Sequence, residues 1–114
     1  MYIKFLSTPY IEFNKENIRK DKVLTDIEVE KILSKEIYIE EKIDGANLGI
    51  SFNDDGRCLL QNRGSYLYSP YDGQWRILNN WIERYEDKLF DILNNEYILF
   101  GEWCCVTHSV YYDC

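Results

Sequence analysis

The chain has 114 residues, 46% of them hydrophobic and 16% aromatic, with a formal net charge of -7. That composition supplies enough apolar material for one domain with a real core and excludes a chain disordered throughout. The acidic balance argues against nucleic acid being held over a broad basic surface, because phosphate contacts rest on Lys and Arg.

At the front, Met1-Tyr2-Ile3-Lys4-Phe5 has no signal-peptide pattern, and no apolar run in the chain is long enough to span a bilayer. A soluble, cytoplasmic chain with no membrane role is expected. Residues Tyr2 to Phe13 read as extended, broken at Pro9, and Asn14 to Lys22 as a charged, solvated loop. Thr25-Asp26-Ile27-Glu28 has the capping-box pattern. The spacing predicts a helix from there to about Ser34, burying Ile27, Val29, Ile32 and Leu33 unevenly.

Polar and apolar residues then alternate in Glu36-Ile37-Tyr38-Ile39 and again in Leu48-Gly49-Ile50-Ser51-Phe52. Two half-buried strands are expected, with Lys42 where one ends and turns into the next. Asn53-Asp54-Asp55-Gly56 reads as a turn, so Ala46–Phe52 and Arg57–Asn62 should form a hairpin, with Gly64 ending the second strand. Ser69 to Gly73 is a loop. From Gln74 to Asn94, Trp75, Leu78, Ile82, Tyr85, Leu89 and Ile92 recur at three- and four-residue steps, the mark of a helix with these side chains in the core. A break is allowed for near Asp87 or Asn94. Tyr97-Ile98-Leu99-Phe100 predicts a strongly buried strand ending at Gly101-Glu102-Trp103, and Val106 to Tyr112 a further strand. The fold class is α+β, with mainly antiparallel pairs.

The four cysteines, Cys58, Cys104, Cys105 and Cys114, have no CxxC spacing and no histidines at zinc-finger distance. Free, mostly buried thiols in a reducing compartment are expected. His108 stands alone and is read as structural, and Tyr111 and Tyr112 as strand residues, one facing inward.

Three stretches have the residue types for chemistry. In Lys42-Ile43-Asp44-Gly45, a lysine held by rigid backbone and stripped of water could present a neutral amine, which is the nucleophilic form. In Gln61-Asn62-Arg63-Gly64, an arginine follows an apolar strand, and the glycine would let the backbone turn tightly around it. In Leu99-Phe100-Gly101-Glu102-Trp103, a carboxylate stands at the mouth of an apolar strand, where it can accept two hydrogen bonds from a diol. Each also has an ordinary reading: a turn lysine, an exposed arginine, a strand end.

Together and in this order, the three resemble the motifs of the covalent nucleotidyltransferases, the superfamily of ATP-dependent DNA ligases, RNA ligases and mRNA-capping enzymes. Glu41-Lys42-Ile43-Asp44-Gly45-Ala46-Asn47, Gln61-Asn62-Arg63-Gly64, and Gly101-Glu102-Trp103 leading to His108-Ser109-Val110-Tyr111-Tyr112-Asp113 are most similar to the nick-sealing, phage T4 RNA ligase 2-like RNA ligases. The likeness runs from about Tyr38 to the end. It implies the front half of the adenylation fold. It also implies that Lys42 attacks the α-phosphate of ATP, that Arg63 holds phosphate, and that Glu102 binds ribose. Glu40 or Glu41 would lie near the adenine edge, Asn47 near phosphate or the RNA end, and Ile43 in the nucleotide pocket. Mg2+ would come with the triphosphate and not through a dedicated protein cage.

The sequence also departs from that family. It stops at Cys114, before the aromatic motif that stacks the nucleobase, the Glu-Gly motif and the Lys-x-Lys pair; no lysine follows Lys88. The resemblance thus implies RNA-joining chemistry in a complete enzyme, with RNA 5′-phosphate and 3′-hydroxyl ends as substrates and a C-terminal half or other protein partner completing the site. For this short chain by itself, impaired activity with little or no complete ligation is expected. The alternatives are a noncatalytic interaction module, or one half of a split ligase, derived from the same fold. Capping-type guanylyl transfer is a further enzyme reading, since its nucleophile motif is also Lys-x-Asp-Gly.

Overall fold

Seven residues, Ala46–Phe52, form the strand around which the sheet is built. The computed structural model describes residues 1–11 and 22–105. Within them β1 (Ala46–Phe52), β2 (Cys58–Gln61), β3 (Tyr66–Leu67) and β4 (Leu99–Trp103) make a four-stranded sheet in the order β3-β2-β1-β4. Every pair is antiparallel. Among the described residues two α-helices complete the α+β fold, α1 (Asp26–Leu33) and α2 (Leu78–Leu93), with a 3-10 turn at Gly73–Trp75 before α2. The chain divides into two compact units, one of Met1–Phe5 with Ile43–Cys114 and the other of Leu6–Lys42.

In the sheet unit, alternation decides which side chains are buried. Leu48, Ile50 and Phe52 leave β1 on one face and join Leu60, Trp75, Leu78, Ile82 and Leu93 in the core. Leu78, Ile82, Leu89 and Leu93 sit at four-, seven- and four-residue steps, so they line one stripe of α2. Leu78 is fully buried. The expected hairpin is present, with Gly49 opposite Gln61 and Phe52 opposite Cys58. Its turn is closed by Asn53, whose Oδ1 accepts from the Asp55 and Arg57 amides at 3.1 and 2.8 Å. Gly56 has a φ of 73° there, a conformation that favours glycine.

Several expectations are corrected. No strand forms over Glu36–Ile39, where Tyr38 and Ile39 are 86% and 89% exposed. Alternation makes a segment fit for a sheet, but a strand needs a partner's backbone, and none pairs here among the described residues. Tyr97–Phe100 is not strongly buried: β4 runs from Leu99, lies at a sheet edge among the described residues, and leaves Leu99 45% exposed. Ile92 is exposed and Leu93 takes the core position, because Ile92 falls about 70° around the helix from the centre of the buried stripe. α2 runs unbroken past Asp87 and ends at Asn94, whose φ is 46°. The strand β3 was not anticipated. Phe13, the loop 14–21, the segment Val106–Tyr112, His108 and Cys114 lie outside the described residues.

In the second unit, Tyr10 makes one parallel bridge with Val23, and α1 opens with the predicted capping box. The Thr25 amide and hydroxyl both donate to Glu28 Oε2 at 2.9 Å, while the Glu28 amide donates back to Thr25 Oγ1 at 3.4 Å. None of α1's residues is buried, against the expectation for Ile27, Val29, Ile32 and Leu33. Charged residues interleave with the apolar ones in this eight-residue helix, so no wide apolar face forms. It depends on its ends. Thr25→Ala should cost about 1 kcal/mol of local helix stability, read as faster amide exchange in Glu28 to Ile32. The two Thr25 bonds hold the Glu28 carboxyl below the ordinary carboxylate range. A depressed folded-state pKa means this support is full above the unfolded value and is lost as pH falls through the folded one.

Candidate functional site

The N-terminal end of β1 and the C-terminal end of β4 meet. Ala46 faces Trp103 and Asn47 faces Glu102 across the antiparallel ladder, so the Asn47 and Glu102 side chains project on the same face of the sheet. That face is opposite the one that Leu48, Ile50 and Phe52 bury against α2. Trp103 anchors the β4 end: its indole Nε1–H donates to the Gln74 carbonyl at 2.9 Å, and its ring meets Trp81 edge-on at 5.8 Å.

Glu102 is fixed by backbone. The Gly45 amide donates to its Oε2 at 3.2 Å, which ties the glycine of Lys42-Ile43-Asp44-Gly45 to the carboxylate of Phe100-Gly101-Glu102. The approach is close enough to require glycine: a Cβ on residue 45 would stand 2.8 Å from the Trp103 carbonyl oxygen and 3.0 Å from Cys104 Sγ. Beside this pair, Asn47 Oδ1 is buried and has no hydrogen-bond partner. A buried acceptor left unmade costs about 1–3 kcal/mol, so this oxygen is suited to a donor from a ligand or water.

Arg63 stands on the turn between β2 and β3. The β1–β2 register pairs Gly49 with Gln61, so carrying it two residues further would set Arg63 level with Asn47. The ladder stops at Gln61 and the turn takes over at this same end of the sheet. Gly64 was expected to make that turn, yet it has no positive φ. Asn62 makes it instead: its Oδ1 accepts from the Gly64 and Ser65 amides, both at 2.8 Å, and its own amide donates to the Ser65 carbonyl at 2.9 Å. Arg63 is exposed at the tip.

The other expected residues stand differently. Lys42 is the last residue of the unit Leu6–Lys42, and Glu40 and Glu41 precede it. All three are exposed in irregular backbone, so the strand junction expected around Lys42 does not form. Ile43 opens the sheet unit and is 39% exposed. The structure therefore brings Asn47 and Glu102 together, adds Gly45, and sets the Arg63 turn at the same end. Gly45 and Asn62 were missed as site-building residues. Asn62 carried a signal, since Asn followed two residues later by Gly favours an Asx turn. Gly45 carried none beyond its place in the motif.

Two open clefts of about 300 and 440 Å³ lie elsewhere in the sheet unit, one beside Asn53 and Tyr97 and one beside Cys58 and Tyr71. Neither includes a motif residue. Among the described residues, no group of three or more His, Cys, Asp or Glu gathers that could hold a metal ion.

The cysteines depart from expectation. Cys58, Cys104 and Cys105 are free, but none is fully buried, and Cys104 is exposed just past the end of the edge strand. Burial, reinforced by the Glu86 charge, pushes the Cys58 thiol up to about 11. The Tyr71 phenol is raised as well, by burial and then by Cys58 and Glu86. At pH 8 iodoacetamide should therefore label Cys104 well before Cys58, with Cys58 reacting on denaturation or as pH approaches 11. Peptide mass spectrometry over a pH series reads this order.

Residues 35–114 match the family model described as RNA ligase. No curated protein and no solved structure matched the chain. Among the described residues, no helix is long and apolar enough to cross a membrane.

Proposed function

This chain belongs to the RNA ligase family, and we propose that it is a nick-sealing, phage T4 RNA ligase 2-like member whose Lys42 takes AMP from ATP. The fold would then be the front part of the covalent nucleotidyltransferase fold. The observation that carries the reading is the hydrogen bond from the Gly45 amide to Glu102 Oε2. It joins the nucleophile motif to the ribose-binding motif, two stretches that ligase chemistry needs at one nucleotide.

In this reading Lys42 gives its ammonium proton to solvent and its Nζ attacks the α-phosphorus. The N–P bond forms as the P–O bond to pyrophosphate breaks, leaving AMP on the lysine. With Oε2 held by Gly45, Glu102 turns Oε1 to the ribose hydroxyls. Asn47 Oδ1, an orphaned acceptor, suits a hydroxyl or amide donor at the phosphate or RNA end. Arg63 offers a fork for phosphate oxygens and a cation that favours the neutral amine. Glu40, Glu41 and Ile43 are assigned to the adenine side on motif position. Magnesium would come with the triphosphate, held through phosphate oxygens and water. When bound, it neutralises charge on the leaving pyrophosphate. In the complete reaction, AMP passes to an RNA 5′-phosphate and a 3′-hydroxyl displaces it.

The test compares ATP labelled at the α-phosphate with ATP labelled at the γ-phosphate. Acid-labile label should reach the protein from the first and not the second, and excess GTP should not compete. Competition by GTP would favour guanylyl transfer, and no label from either nucleotide would favour a noncatalytic module.

A further inference from the structure

The first five residues belong to the sheet unit, and they lie on the face that presents Asn47 and Glu102. The Gln61 side chain, 1% exposed, donates through Nε2 to the Ile3 carbonyl at 2.8 Å. Phe5 packs on Phe100 with ring centroids 5.1 Å apart, and Tyr2 meets Tyr66 edge-on at 5.4 Å. Gln61 and Phe100 flank Gly49 from the two neighbouring strands, so this segment straps β2, β1 and β4 together. One contact reaches further. The Tyr2 hydroxyl donates to the Asn62 carbonyl at 3.0 Å.

That carbonyl is half of the peptide group leading into Arg63. The Asn62 side chain already holds the far side of the turn through the Gly64 and Ser65 amides. The turn is thus gripped on both sides of Arg63, from within by Asn62 and from outside by Tyr2. We infer that Tyr2 is a positioning residue for nucleotide binding, acting through the Asn62–Arg63 peptide to hold the guanidinium where phosphate oxygens arrive. This rests on the ligase reading of Arg63. The side chain touches no substrate atom in that reading; its effect passes through the turn.

Tyr2→Phe removes the hydroxyl and keeps the ring on Tyr66, so the chain stays folded. Two measurements on the full chain separate the inference from the reading beneath it. Without ligand, amide relaxation of Arg63 and Gly64 should report a looser turn in Tyr2→Phe, while amides of β1 stay unchanged. With ATP, Tyr2→Phe should weaken binding about threefold to tenfold, the usual worth of one neutral hydrogen bond. In an Arg63→Ala background the same substitution should then change ATP affinity less than twofold. An unchanged turn in Tyr2→Phe overturns the inference whatever ATP does. Equal loss of affinity in both backgrounds also overturns it, since that marks a general structural role. A wild-type chain that binds no ATP contradicts the ligase reading of Arg63, and with it the nucleotide part of the inference; the relaxation data then decide whether Tyr2 orders the turn.

Discussion

Lys42→Ala is expected to reduce transfer of α-phosphate label from ATP to the level of a control without protein. Lys42→Arg should do the same, although it keeps the charge, because a guanidinium stays protonated at any working pH and offers no lone pair for attack. The loss should fall on bond formation and not on binding. Ribose and phosphate contacts assigned to Glu102, Asn47 and Arg63 remain, so ATP affinity should drop by no more than about tenfold while labelling vanishes. Equilibrium binding and label transfer, measured on the same preparations, separate the two effects. Label persisting in Lys42→Ala would move the nucleophile to another residue.

Gly45→Ala should be the most damaging small substitution at the site. Its Cβ meets the backbone oxygen of Trp103 at 2.8 Å, and a backbone atom cannot rotate away as a side-chain tip can. Overpacking of this kind costs about 1–3 kcal/mol. It would also part the two strand ends and pull the Gly45 amide from Glu102 Oε2. Urea denaturation should show the midpoint falling with an unchanged slope, and ATP affinity should fall in the same protein. Gly101→Ala is the control. Apart from its two chain neighbours, no described residue has an atom within 4 Å of a Cβ placed there, and its φ is not positive, so stability should be nearly unchanged.

Local chemistry made much of the fold legible. Thr25 and Glu28 announced a helix start, Asn53 to Gly56 announced a hairpin turn, and the spacing of Leu78, Ile82 and Leu89 announced the buried stripe of α2. Each signal is carried by residues within one or two turns of one another. What failed depended on partners. Ile37 and Ile39 alternate with polar residues as a strand should, but no described strand pairs with them. Leu99 and Phe100 read as core residues, yet β4 lies at a sheet edge among the described residues and leaves Leu99 45% exposed. At the site, the motif order pointed to Lys42, Arg63 and Glu102, while the contact that builds the site joins Gly45 and Glu102, 57 residues apart. The Tyr2–Asn62 bond spans 60. No periodicity encodes such pairs: the first follows from the register of β1 against β4, and the second from where the N-terminal segment meets the β2–β3 turn.

The proposed reaction leaves AMP on Lys42. Its most direct measurement is peptide mapping by mass spectrometry after incubating the full chain with ATP and magnesium and quenching at alkaline pH, where a phosphoramidate survives. One adenylyl group is expected, on the peptide that contains Lys42 and on the Lys42 side chain itself. A protein that stays unmodified at high ATP, or an adenylyl group mapped to any other residue, would contradict it.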